Sequence, residues 1–198
     1  EDFHTLTAAR VFHVEPQDVT PEMRRRAKAV NFGVVYGISP FSLSQDIGVT
    51  VAEAKEYMER YFQTYTGVRA YMDRIVEQAR ADGYVETLMH RRRALPELKS
   101  SNHNRAFGER VALNMPIQGT AADLMKLAMV RVERRLADEG LAAQIIMQVH
   151  DELIVECPED EAARVQALLE EEMSGVMTLA VPLPAEAHCG KNWLTAKG

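Results

Sequence analysis

The chain has 198 residues, 46% of them hydrophobic and 26% charged, which is ordinary globular composition and enough for one large domain or two small ones. Its formal charge of −6 excludes a protein that coats nucleic acid nonspecifically, because neutralising a phosphate backbone takes a basic surface, so any such contact must come from a local patch. No apolar run approaches membrane length, and Cys157 and Cys189 lack the spacing of a zinc site or a disulfide framework, so no membrane partner and a reducing, cytoplasmic setting are expected.

The first half reads as helical. The chain begins without Met and inside a helical pattern, which points to a piece of something longer, and a helix is expected over Phe3 to Phe12. Thr20 and Pro21 then form an N-cap with proline at the first helical position. The helix they open, about 21–37, contains RRRAKAVNFGVVYG (Arg24 to Gly37) and stops near Gly37, with Pro40 close behind. Thr50 and Glu53 make a capping box for a helix to about Phe62, and another runs from about Val68 to Asp82, ended by Gly83. YVETL, HRR and RALP read as a small hairpin with a basic turn. Asn104 to Leu136 is helical again, with an interruption expected at Pro116. After Gly140, AAQIIMQV and ELIVEC are β-rich runs, apolar enough to be buried, that flank His150 and Asp151 as a tight hairpin over about 143–157. A helix from about Glu159 to Met177 and a last strand near Ala185 to His188 complete an α+β pattern. There is no repeat, low-complexity tract or Gly/Ser linker.

Arg24, Lys28, Phe32 and Tyr36 follow one another at intervals of four, each step advancing about 40° around a helix. One face therefore carries two cations and then two rings, which suits a ligand with phosphates at one end and a flat base at the other. A solvated cationic face above a core stripe of Phe and Tyr accounts for the same spacing. Glycines beside the rings, in NFG and YG, cost helix stability and would let a base or a backbone come close.

At the hairpin, Asp151 and Glu152 are adjacent carboxylates beside a rigid turn, a donor set suited to Mg²⁺, although Asp is also simply a favoured turn residue. Arg110, Asn114 and Gln118 are again four apart and of the types that reach base edges; a polar face at a helix junction explains them as well. His4, His13 and His103 stand at no ligand or catalytic spacing and are expected to be structural. No GxxxxGK[ST] loop, GxGxxG turn or recognisable Ser, His and Asp set occurs.

Taken together, these residues resemble family A DNA polymerases. RRRAKAVNFGVVYG is similar to the motif B helix of that family, QVHDELIVE to its motif C, and NMPIQGTAADLMKLAM to the helix that follows the fingers, while DFHTLTA and NWLTAK match the way the polymerase module runs. The resemblance covers essentially the whole chain. It implies residues 1–113 as fingers and 114–198 as the C-terminal part of the palm. It also implies that Arg24 and Lys28 hold the triphosphate of a dNTP, that Phe32 lies against its sugar and base, and that Tyr36 stacks at the templating position. Asp151 would bind the catalytic Mg²⁺ pair with Glu152 as an auxiliary carboxylate, and His150 would sit by the primer end. Arg25, Arg110, Asn114 and Gln118 would contact primer-template DNA.

The resemblance places a second metal-binding aspartate in a motif A strand upstream of this sequence, along with the thumb and the exonuclease domains. The chain alone is thus expected to be incomplete, to need the upstream polymerase segment as a partner, and to belong to a bacterial, nucleoid-associated enzyme. A phage-type RNA polymerase shares the palm plan, but NFG and HDE favour the DNA enzyme. The remaining alternative is a non-catalytic nucleic-acid-binding or assembly fragment.

Overall fold

Helix α1, Phe3–Phe12, starts where Asp2 accepts a hydrogen bond from the His4 amide (3.1 Å) and ends at His13, whose left-handed backbone (φ 56°) closes it. The computed structural model describes residues 2–100 and 102–197; of Asn102 and His103 only the backbone is described, so the expectation for the His103 side chain lies outside it. Two units divide at Ile117 and Gln118.

In the first unit, a 3-10 turn at Pro16–Asp18 leads to α2, Pro21–Val35, which the Thr20 hydroxyl caps by accepting from the Met23 amide. Its far end is a Schellman motif: the Ile38 N–H donates to Gly33 O (2.8 Å), the Gly37 N–H donates to Val34 O (3.0 Å), and Gly37 is left-handed (φ 65°). The glycines turn out to serve packing within the unit. A Cβ on Gly33 would come within 2.6 Å of Ile38 Cγ2, and one on Gly37 within 3.1 Å of Arg110 Cγ and Leu113 Cδ1. The space expected for a base at Gly33 is filled by the chain's own Ile38.

Pro40 ends nothing; it opens α3, Pro40–Ile47, an element the sequence reading missed, with Ser39 accepting from the Ser42 amide as its cap. Helix α4, Val51–Thr64, has the full Thr50 and Glu53 capping box, and α5, Thr66–Asp82, ends at left-handed Gly83. Strands β1, Tyr84–Glu86, and β2, Arg92–Ala94, pair antiparallel with Val85 opposite Arg93. The main core of this unit takes Val11, Val30, Val34, Leu43, Ile47, Ala54 and Tyr61 from the first four helices. A smaller one under the hairpin holds Ala79, Val85, Leu95, Leu98 and Ala112.

Helix α6, Asn102–Asp138, runs 37 residues with Pro116 inside it, so the expected interruption does not occur. A proline there costs roughly 3 kcal/mol. Burial on either side outweighs it, with Ala112 in the small core before it and Leu124, Ala128, Val132 and Leu136 buried after it.

In the second unit, β3, Gln144–Val149, pairs antiparallel with β4, Glu152–Glu156, with Val149 opposite Glu152. The strands are less buried than their composition suggests. An irregularity between Ile145 and Met147 breaks the alternation, and Ile146 and Met147 are both about half exposed (54% and 48%). Helix α7, Ala162–Ser174, follows a 3-10 turn at Glu159–Glu161 and stops at Gly175, before Met177. It packs Val165 and Leu168 against Val132, Leu136 and Ala143. Arg135 and Arg164 both pair with Glu139, and Arg135 also pairs with Glu172.

The expected strand at Ala185 to His188 is absent. Side chains of α7 take the hydrogen bonds a neighbouring strand would have supplied: the Ala185 N–H donates to Ser174, the Ala187 N–H donates to Glu170, and the Ala187 carbonyl accepts from Gln166. A short α8, Trp193–Lys197, follows. Helices with small antiparallel sheets make the fold α+β, and among the described residues no helix is long and apolar enough to cross a membrane.

Candidate functional site

The first constellation lies along α2. Arg24, Lys28, Phe32 and Tyr36 are all exposed, and Phe32 and Tyr36 stand 51% and 49% open, so the ring pair is a surface feature and not a core stripe. The Lys28 ammonium lies 5.8 Å from the centre of the Phe32 ring, within cation–π range.

The three arginines are not equivalent. Arg24 Nε donates to Asp2 Oδ2 (2.5 Å), which also accepts from the Thr5 hydroxyl (2.6 Å). The Arg24 guanidinium, then that hydroxyl, hold the Asp2 carboxyl well below the usual carboxylate range. Arg25 and Arg26 share Glu22, whose carboxyl they draw down to about 2, and Arg26 continues to the Tyr57 hydroxyl (2.7 Å). Among the described residues Lys28 is the one cation of this helix without an ion pair.

A polar network backs Phe32. Asn31, buried, donates through Nδ2 to His4 Nδ1 (3.0 Å) and Thr7 Oγ1 (3.2 Å), Thr7 meets the Tyr65 hydroxyl (3.2 Å), and the His4 ring lies 5.7 Å from that of Phe32. The sequence reading did not single out Asp2 or Asn31. The usable signal was a polar residue, Asn31, among the apolar positions that α2 buries.

Arg110 and Asn114 lie on one face of α6 in the first unit, and Gln118 follows Pro116 in the same helix. They differ in setting. Arg110 is exposed, with its guanidinium 6.0 Å from the Phe107 ring and its stem against Gly37. Asn114 is half-buried, and its Nδ2 has no hydrogen-bond partner among the described residues. Gln118 is exposed and begins the second unit. In the basic turn, Arg92 pairs with Glu86 and lies over the Tyr84 ring (4.5 Å), which occupies it locally.

The second constellation is the tip of the β3–β4 hairpin. His150 takes the left-handed conformation (φ 52°), and its carbonyl accepts from Gln148 Nε2 (2.6 Å). Asp151 is exposed and makes no ion pair among the described residues. Glu152 accepts from Lys197 Nζ (2.9 Å), and that contact chiefly pulls its carboxyl below the ordinary value. No group of three or more metal-ligating side chains occurs among the described residues. One or two carboxylates are what Mg²⁺ asks of a protein when substrate phosphates and water complete its shell, and Asp151 and Glu152 are side chains of that kind.

The sequence matches the family model described as DNA polymerase family A over residues 1–195. It is 52% identical over 197 residues to DNA polymerase I of Geobacillus stearothermophilus, covering 99% of this chain and 22% of that protein. It is 50% identical to DNA polymerase I of Bacillus subtilis over 99% of this chain and 22% of that one. The chain thus spans about a fifth of the length of these curated relatives. Among solved structures it is similar to the POL domain of Pol1 from M. smegmatis, in a complex with DNA primer-template and dNTP. That likeness has a TM-score of 0.95 and 46% identity and covers 100% of this chain and 35% of the other.

Proposed function

This chain belongs to DNA polymerase family A, and from that premise we propose that it carries the nucleotide-holding helix and one metal-binding carboxylate of a template-directed DNA polymerase. The observation that carries the reading is the exposed face of α2, where Arg24, Lys28 and the Phe32 ring are open to solvent in a chain 46% identical to one solved with a primer-template and a dNTP. In this reading the first unit serves as fingers and the second as the C-terminal part of the palm.

Lys28, with no carboxylate on it among the described residues, takes the phosphates of an incoming dNTP, joined by Arg24. Phe32, backed by His4 and Asn31, lies against the sugar and base, and Tyr36 stacks on the template side. Arg25, Arg110, Asn114, Gln118 and His150 meet the primer-template. Asp151 holds the divalent metal, with Glu152 auxiliary to it. Bound Mg²⁺ supplies charge stabilisation for the attacking primer 3′-hydroxyl oxygen and the departing pyrophosphate. The cations of α2 neutralise that pyrophosphate as its charge develops. A cytoplasmic, nucleoid-associated setting goes with this activity.

The test is primer extension with Mg²⁺ and dNTPs by this chain combined with the preceding polymerase segment of the Geobacillus relative. Extension that depends on this chain, prefers dNTPs over rNTPs and is lost in Asp151→Asn is the expected result. Folded protein, a formed complex and no extension would overturn the reading in favour of a binding fragment.

A further inference from the structure

Helix α8 has five residues and buries none of them, so packing alone does not explain it. Its start is nonetheless carefully built. The Thr195 N–H donates to Asn192 Oδ1 (3.0 Å) while the Asn192 N–H donates to Thr195 Oγ1 (3.2 Å), a reciprocal cap. The chain before it folds back so closely that a Cβ on Gly190 would come within 2.5 Å of the Ala196 nitrogen. What this arrangement delivers is Lys197, whose ammonium sits on Glu152 at 2.9 Å and lies 5.7 Å from the centre of the Trp193 ring. One short helix thus brings a cation, with a ring beside it, to the residue next to Asp151.

We propose that α8 is a cap displaced by a divalent cation: Lys197 holds Glu152, with Trp193 beside it, and yields it when a cation binds at Asp151, so that the C-terminal helix reports and tunes metal occupancy. This rests on the reading of Asp151 as a metal ligand. The physical basis is competition for one carboxylate. An ammonium on Glu152 Oε1 and a divalent cation drawn to the same carboxylate repel each other, so binding of the cation weakens the ion pair and the ion pair weakens binding of the cation. The pair is partly exposed, 60% at Lys197 and 40% at Glu152, which makes the competition weak enough to be reversible.

Trp193 is the chain's only tryptophan, so its emission reads the state of α8 directly. The experiment titrates Mn²⁺ and Mg²⁺ into the 198-residue chain, counting free Mn²⁺ by electron paramagnetic resonance and following Trp193 emission. It does so for the parent, Lys197→Met, Glu152→Gln and Asp151→Asn. Cation binding should red-shift the emission of the parent, and Glu152→Gln should show the shifted emission without metal. Lys197→Met should bind Mn²⁺ about two- to fivefold more tightly, the range an exposed ion pair can contribute. If Mn²⁺ binds in an Asp151-dependent manner while the emission stays constant and Lys197→Met leaves the affinity unchanged, the cap is refuted and the metal reading stands. If no Mn²⁺ binding depends on Asp151, both fall.

Discussion

Replacing Gly33 by Ala tests the claim that the end of α2 is shaped by its own packing and not kept open for a ligand. The new Cβ would lie 2.6 Å from Ile38 Cγ2, 3.1 Å from its Cβ and 3.2 Å from its Cδ1. Two of those atoms sit at the root of a branched side chain, so the clash is relieved only by moving the Ile38 backbone, which the hydrogen bond from its N–H to Gly33 O fixes in place. Overpacking of this kind costs roughly 1–3 kcal/mol, against a gain of about 1 kcal/mol from placing Ala in a helix where Gly was. The net effect therefore runs from about zero to a loss of about 2 kcal/mol. Urea unfolding followed by far-ultraviolet circular dichroism would measure it for Gly33→Ala, Ile38→Ala and the double variant. Ile38→Ala removes Cγ2 and makes room, so the double variant should be more stable than the sum of the single losses by about 1 kcal/mol or more. Strict additivity, or a Gly33→Ala variant more stable than the parent, would refute the reasoning.

Gly37→Ala forces a Cβ into a left-handed position (φ 65°) and against Arg110 and Leu113; a loss of at least about 1–2 kcal/mol is expected in the same unfolding assay. Lys28→Met should weaken dNTP binding tenfold or more in a fluorescence or calorimetric titration, whereas Arg26→Met, which leaves Glu22 to Arg25 alone and takes the guanidinium from Tyr57, should lower the unfolding midpoint and leave dNTP affinity largely intact. Acid should erode the contacts of Glu139. Arg164 and then Arg135 hold its folded carboxyl at about 2, below its ordinary 4.5, so the stabilisation is present above pH 4.5 and disappears as pH falls toward 2. A pH series of urea midpoints should therefore fall less steeply in Glu139→Gln over that window, and an unchanged slope would contradict the assignment.

Helices whose ends carry strong local chemistry were legible in the sequence. Thr20, Thr50 and Gly83 each act within a few residues, and the elements they bound appear where such caps put them. Signals with two meanings misled. Pro40 was read as a stop and is a start, and Pro116, a breaker in isolation, is carried through by the burial around it. The Ala185 to His188 run was read as a strand, but its hydrogen bonds go to Gln166, Glu170 and Ser174, which no local pattern encodes. For the candidate site, the stepping of Arg24, Lys28, Phe32 and Tyr36 and the pair at Asp151 were readable because one helix or one turn holds each. The pairing of Arg24 with Asp2, and of Glu152 with Lys197, joins residues distant in sequence, so composition gave no hint of either.

The sharing of charge around α2 has a consequence for how that helix acts at a distance. RRRAK reads as a dense positive cluster, yet Arg24 faces Asp2, and Arg25 and Arg26 divide Glu22 between them, so four cations stand against two carboxylates. The field that reaches outward is about half of what the sequence suggests, and at physiological ionic strength it fades within roughly 8 Å. Such a surface is a poor long-range attractor for polyanions and a good short-range grip. The rate at which nucleotides arrive should therefore respond only weakly to added salt, while the lifetime of those that have docked should depend on it more strongly.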